Sequence, residues 1–190
     1  GRPKSEVAKV AIERALDATE AAVAKRPDYP INVSLLLFST RTAVIMPMQR
    51  YNRDSVRAAV RRLPRPEGGT AIGDAMDAAR IALYKAGTFR KVMLVVTDGN
   101  NTNGRDPGEV AREIYQRSDG GVGMYFVAFD TDAEKFAFLH DVKGDVVTAQ
   151  NGAALEASLS QLYEGKVLAE APVEPNTQAP TRDSTPGGAA

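Results

Sequence analysis

Two stretches of this 190-residue sequence place oxygen donors where a folded chain can present them to a ligand. They are Gly68-Gly69-Thr70-Ala71-Ile72-Gly73-Asp74 and Thr97-Asp98-Gly99-Asn100-Asn101. A threonine hydroxyl and an aspartate carboxylate are hard donors of the kind Mg²⁺ or Mn²⁺ prefers. The first stretch is also a glycine-rich approach to a helix amino terminus, which can cradle an anion. It lacks the Gly-Lys-Ser/Thr ending of a P-loop and the spacing of a dinucleotide fingerprint. Each residue has a plainer role as well: Asp98 as a turn residue before a flexible Gly, Thr70 as a helix cap. Taken together, Thr70 and Asp98 are candidate ligands of one divalent cation.

The remaining chemistry is sparse. There is no Cys and a single His, His140, which excludes disulfide frameworks, thiolate nucleophiles, Cys-ligated zinc and multi-His metal sites. His140 has Asp141 beside it but no Ser or Cys nucleophile motif to serve, and reads as a structural or surface histidine. Arg50, Arg53, Arg57, Arg61, Arg62 and Arg65 form a local basic cluster, with Arg53, Arg57 and Arg61 on one helix face. Only Tyr51 offers an aromatic platform beside them, so a solvated face is favoured over a phosphate backbone or an acidic partner. Asp130 and Asp132 follow a strand end, where they are rim acids or, for Asp132, a helix cap. Lys+Arg and Asp+Glu each total 24, a balance that argues against nucleic acid or an anionic membrane as partner.

Strands and helices must hold the two donors, and hydropathy says which. Ala8, Ile12, Ala15, Leu16, Thr19 and Val23 share one helical stripe, and Pro27 and Pro30 close that helix. Residues 31–38 read as a buried strand and 42–48 as its antiparallel partner, because so short a connection cannot make a parallel crossover. Pro47 places the partner at a sheet edge. Val56, Ala59, Val60 and Leu63 mark a short helix; Ile72, Ala75, Met76, Ala79 and Leu83 mark a longer one stopped at Gly87. Residues 91–97 form a strand running straight into Asp98-Gly99. Asp106-Pro107-Gly108-Glu109 has the cap, N1 proline and N3 acid of a helix start. A strand at 123–129, a segment at 133–141, a short strand near Val146-Val147 and a helix at 153–163 follow. This alternation means an α/β fold with a mainly parallel open sheet. In such sheets ligands bind beyond the carboxyl ends of the strands, where Thr70 and Asp98 both fall.

Gly-Gly-Thr-Ala-Ile-Gly-Asp-Ala ahead of a helix, then Val-Met-Leu-Val-Val-Thr-Asp-Gly-Asn-Asn-Thr, resembles the von Willebrand factor type A family, and the resemblance extends over residues 1–168. It implies a Rossmann-like fold with one antiparallel edge strand and helices on both faces. It also implies a metal-ion-dependent adhesion site drawn from three loops: an Asp-x-Ser-x-Ser motif after the first strand, then a Thr, then an Asp. By that resemblance Thr70 is the second-loop Thr and Asp98 the third-loop Asp. The metal is a divalent ion, usually Mg²⁺, and an acidic side chain of a protein partner often completes its coordination. The Asp-x-Ser-x-Ser motif and its strand are absent from this sequence, whose opening Gly1-Arg2-Pro3-Lys4-Ser5-Glu6 resembles the stretch just downstream of them in bacterial members. Ser5 lies past that loop and does not replace it. The family's topology puts the absent strand centrally, between 31–38 and 91–97. Two donors cannot satisfy the six-ligand shell of Mg²⁺, so Mg²⁺ or Mn²⁺ is expected only in the complete domain.

The expected function is a non-enzymatic, metal-ion-dependent protein-interaction module with an incomplete metal site. The alternative is an accessory subunit of an AAA+ ATPase in a chelatase-type assembly. A Mg²⁺-dependent hydrolase is disfavoured, because no nucleophile, second acid at metal spacing or general base accompanies Asp98. No apolar run reaches the ~18–20 residues of a membrane span. The domain is expected to cover 1–168. Residues 169–190, with Pro172, Pro175, Pro180 and Pro186 and nothing substantially apolar beyond Val173, read as a disordered tail.

Overall fold

Helix α1 (Lys4–Lys25) leads into strand β1 (Asn32–Phe38), which turns back through residues 39–41 into β2 (Thr42–Arg50). Helices α2 (Arg53–Arg61) and α3 (Ile72–Lys85) follow, then β3 (Lys91–Thr97), α4 (Pro107–Ser118) and β4 (Val122–Phe129). A 3₁₀ segment (Ala133–Val142), β5 (Asp145–Ala149), α5 (Gly152–Leu162) and a π-helical turn (Tyr163–Leu168) close the fold. This computed structural model describes residues 4–28, 30–64, 68–87 and 90–168; the expected tail lies outside the described residues. Among them, no helix is long and apolar enough to cross a membrane.

Local signals fix the helix starts. Asn52, Asp106 and Asn151 each accept a backbone N–H three residues on, capping α2, α4 and α5. Asp132 accepts from Glu134 N at 3.0 Å, so it is the cap the sequence suggested. Gly87, at φ +64°, ends the turn after α3 in the left-handed region that glycine tolerates.

The parallel ladder β3–β4–β5 forms the centre. Lys91 to Thr97 pair in step with Val122 to Ala128, and Tyr125 to Phe129 with Asp145 to Ala149. Buried on both faces, β4 is nearly continuous in apolar residues, as a strand covered by helices must be. On one face Met93, Val95 and Phe126 pack with Ile72 and Met76 of α3 and with Val110 and Ile114 of α4. On the other, Leu94, Val96 and Val127 meet Ala11 of α1 and Leu155 and Leu159 of α5.

The hairpin β1–β2 is a second, separate ladder. Its register shifts around Ser34 and Leu35, where Ser34 Oγ donates to Met46 O at 2.8 Å. Neither β1 nor β2 pairs with β3. Between β1 and β3 lies a cavity of about 790 Å³, lined by Leu35, Leu37, Leu94 and Val96 and walled by Ile12 and Leu16 of α1. The expected mainly parallel sheet is therefore divided at the place where the resemblance puts the absent strand. One expectation needs correcting here. The apolar run of β1 reads as a buried strand, yet none of its seven residues is fully buried, because one of its edges meets no neighbour.

Two arginines of the basic cluster, Arg53 and Arg57, are spent on intramolecular pairing. Arg57 Nε donates to Glu13 at 2.8 Å and Arg53 to Asp17, tying α2 to α1. The Arg53 hydrogen bond holds the exposed Asp17 carboxyl below its ordinary range. Tyr51 OH donates to Leu16 O and Glu20 Oε2, and burial together with Glu20 pushes the phenol up to about 12. His140 is exposed on the 3₁₀ segment, a surface histidine.

Candidate metal centre

Thr97 closes β3 with a buried side chain whose hydroxyl bonds the Gly99 carbonyl and amide at 3.3 and 3.4 Å. That tight turn leaves Asp98 exposed at the carboxyl end of the strand. Thr70 arrives from the loop before α3. It is half-buried, and a Cβ built on Gly99 would sit 3.5 Å from Thr70 Oγ1. The two sequence-predicted donors therefore belong to adjoining loops at one end of the sheet, as the strand-end rule requires. Both also line the carboxyl-end mouth of the cavity between β1 and β3.

Thr70 is not the cap of α3. Ala71 occupies the N-cap position and makes no side-chain cap bond. The cap comes from another loop: Asn101 Oδ1 accepts from Ile72 N at 2.8 Å and from Gly73 N at 3.5 Å, while its Nδ2 donates to Arg105 O. Thr70 contributes its backbone instead. Its N–H donates to Thr102 Oγ1 at 2.8 Å, and its carbonyl accepts from Thr102 N and Asn103 N. Among the described residues its hydroxyl makes no hydrogen bond, which leaves that oxygen available to a ligand.

Further contacts tighten the same loops. Asp74 Oδ1 accepts from Arg105 N at 2.9 Å, so this acid of the glycine-rich stretch is a structural tether. Ser39 O accepts from Ala71 N and Thr40 Oγ1 from Gly69 N, joining the carboxyl end of β1 to the loop. Sequence reasoning named Thr70 and Asp98 and missed Asn101 and Thr102. The Asn-Asn-Thr run after Asp98-Gly99 was the available signal, since such side chains readily satisfy loop backbone. Removing the borrowed cap has a defined cost: Asn101→Ala is expected to lose about 1–2 kcal/mol, the scale of a lost helix cap, read from the urea midpoint.

The donors fit a hard divalent cation in type and placement and fall short of it in number. Among the described residues, no group of three or more His, Cys, Asp or Glu side chains could hold a metal. Asp130, at φ +52°, uses its amide to bond Ala149 O and stands exposed beyond β4.

Comparison with known proteins gives the following. The model of the von Willebrand factor type A domain matches residues 6–161. No curated protein matches. Among solved structures, a von Willebrand factor type A protein from Catenulispora acidiphila aligns with TM-score 0.67 and 21% identity, over 84% of this chain and 37% of that one. Proximal thread matrix protein 1 from the mussel byssus, in a structure with a zinc-occupied MIDAS motif, aligns with TM-score 0.64 and 19% identity over 83% and 41%. BatB from Bacteroides thetaiotaomicron aligns with TM-score 0.64 and 18% identity over 85% and 87%. This chain thus spans about two-fifths of the first two proteins, and at these identities the likeness is one of fold.

Proposed function

This chain belongs to the von Willebrand factor type A family, and from that premise we propose that its Thr70–Asp98 end is the metal-dependent face of a protein-interaction module. Domains of this family are typically interaction modules rather than enzymes, and the mussel relative carries its metal in the corresponding type of motif. The observation that carries the reading is the Thr70 hydroxyl. It stands against the Asp98–Gly99 turn with no hydrogen bond to any described residue.

In this reading residues 1–168 form the domain, Thr70 Oγ1 would hold the ion directly, and Asp98 would hold it indirectly, as an acceptor for water at the site. A Mg²⁺ or Mn²⁺ ion held there would supply a positive charge able to attract a carboxylate of a protein partner. Asn101 and Thr102 hold the Thr70 loop against the Asp98 turn, so the two donors keep their spacing before any ion arrives. The pair alone would leave most of the ion's six-oxygen shell to other donors.

Calorimetric titration with Mn²⁺ tests this. Residues 1–190 are expected to bind no better than a generic carboxylate surface, because Mg²⁺-like ions demand near-octahedral oxygen coordination. Extending the chain at its amino end by an apolar strand ending in Asp-x-Ser-x-Ser should make binding measurable. In that extended protein, Thr70→Ala and Asp98→Ala should each weaken it by roughly 10–100-fold while leaving the fold intact. If the extended protein takes up no Mn²⁺, or both variants bind it equally well, only the fold assignment survives.

A further inference from the structure

Two Asn-Gly pairs occur in the chain, Asn103-Gly104 and Asn151-Gly152, and the fold treats them in opposite ways. In such a pair the backbone nitrogen of the glycine can attack the side-chain amide before it, because glycine has no Cβ to obstruct the approach. Asn151 is restrained from this reaction. Its Oδ1 accepts from Ala154 N at 2.9 Å as the cap of α5, and the side chain against Gly152 is the apolar Val7. Asn103 and Gly104 instead stand exposed in the loop between β3 and α4.

Three groups converge on the exposed pair. The first is the Gly104 N–H, which makes no hydrogen bond among the described residues, so its nitrogen is unencumbered. The second is the Thr102 hydroxyl. It donates to Asn103 Oδ1 at 3.0 Å and itself accepts from Thr70 N at 2.8 Å. That relay polarises the Asn103 amide carbon and would stabilise charge developing on Oδ1. The amide is seated against Gly69, where a Cβ would fall 1.9 Å from Asn103 Oδ1. The third group is the Asp74 carboxylate. Its Oδ1 is tethered to Arg105 N, while Oδ2 would lie 2.2 Å from a Cβ built on Gly104. A carboxylate resting there can take a proton from the adjoining nitrogen.

We propose that Asn103-Gly104 is a self-modification site, at which Asn103 is converted to aspartate and isoaspartate with Thr102 and Asp74 assisting. Gly104 N bonds to Asn103 Cγ, and its proton passes to Asp74 Oδ2. The Cγ–Nδ2 bond then breaks, and Nδ2 leaves as ammonia with that proton. The remaining succinimide takes up one water molecule, which opens it at either carbonyl. One opening restores the normal backbone with an aspartate side chain; the other routes the backbone through Cγ as isoaspartate. No electrons are exchanged. Isoaspartate adds a methylene between the residue 103 N–H, which bonds Thr70 O, and the Arg105 N–H, which bonds Asp74. The clamp on the Thr70 loop therefore lengthens, and either product sets a new negative charge against Gly69.

The test incubates the full 190-residue chain in mildly alkaline buffer made with heavy-oxygen water, a chelator being present so that the outcome is independent of the metal reading. Peptide mapping by mass spectrometry follows loss of the amide and entry of label at both asparagines. Label should enter position 103 at least roughly tenfold faster than position 151, the rate ratio to which an ordinary helix cap corresponds. In urea the two sites should converge, with position 103 slower than in the folded chain. Thr102→Val and Asp74→Asn should each slow the folded reaction by roughly 10–100-fold, since a placed oxyanion donor or base contributes on the order of 100-fold. The sign separates the two roles these side chains can have: if they only hold the loop, removing them frees it and the reaction accelerates. Asn103→Gln, whose longer side chain closes the ring poorly, should take up no label at that position. Equal rates at 103 and 151 in the folded chain would overturn the proposal. So would a faster reaction at 103 in urea, or an unchanged or raised rate in both assisting-residue variants.

Discussion

Gly73→Ala destabilises the domain by about 2–3 kcal/mol, the cost of forcing a methyl group into a closed contact. The sign is opposite to the intrinsic one. Inside an unhindered helix, glycine to alanine gains up to roughly 1 kcal/mol. At position 73, however, a Cβ would lie 2.2 Å from Arg105 O and 2.8 Å from its carbonyl carbon. Both are backbone atoms of the loop that caps α3, so no side-chain rotation relieves the clash. The loop has to lift, and with it go the Asn101 cap, the Asp74–Arg105 bond and the clamp on Thr70. Gly165→Ala is the matched control, since nothing lies within 4 Å of a Cβ built there; it should be neutral or slightly stabilising. Urea midpoints of the two variants decide the point, and an unchanged or raised midpoint for Gly73→Ala would show that the loop does not rest on α3.

Phe126→Ala is expected to cost about 3–5 kcal/mol, a large share of the ~5–15 kcal/mol that holds a domain together. Phe126 is fully buried in β4. Its ring lies 5.4 Å from Phe136 in a tilted arrangement and 5.9 Å from Phe138 edge-on. Those two rings belong to the 3₁₀ segment, whose helical course is broken at Phe136 (φ −113°). Truncating Phe126 thus empties the seat that positions the whole segment. Phe126→Leu keeps most of the volume and should lose only part of that amount. A urea series on both variants should show that order; a loss below 1 kcal/mol for alanine would mean the segment packs without this ring.

The elements with local signals were legible from the chain. Asp106, Pro107 and Glu109 announce α4 wherever they occur, and the apolar run 91–97 ending in Asp-Gly gives both β3 and the exposed acid that follows it. The short 39–41 connection dictates an antiparallel β1–β2 pair. What escaped depends on residues distant in sequence. Thr70 reads as a cap because it precedes a helix, yet the N–H groups of that helix are taken by Asn101, 29 positions from Ile72. The tether of that stretch is equally distant in sequence, since Asp74 Oδ1 accepts from Arg105 N. The burial of β1 was overestimated for the same reason: hydropathy reports what a strand is suited to touch, and contact needs the neighbour present. That the Thr70 and Asp98 loops adjoin was legible because both fall at the carboxyl end of the sheet, where fold geometry substitutes for local pattern.

The divided ladder also separates the timescales of assembly. The β1–β2 hairpin closes across residues 39–41 and belongs to the class of structures that form in about 1–10 μs. The β3–β4 pair must first bring together strands separated by residues 98–121, and parallel pairings of that kind are slow. No ladder hydrogen bond connects the halves, so neither serves as a template for the other's backbone. Their union rests on the 69–71 loop and on the side chains of α1 and α3, contacts that form only once both halves are in place. An isolated two-stranded hairpin is marginally stable in water, so β1–β2 forms and dissolves many times before the slower ladder is there to hold it.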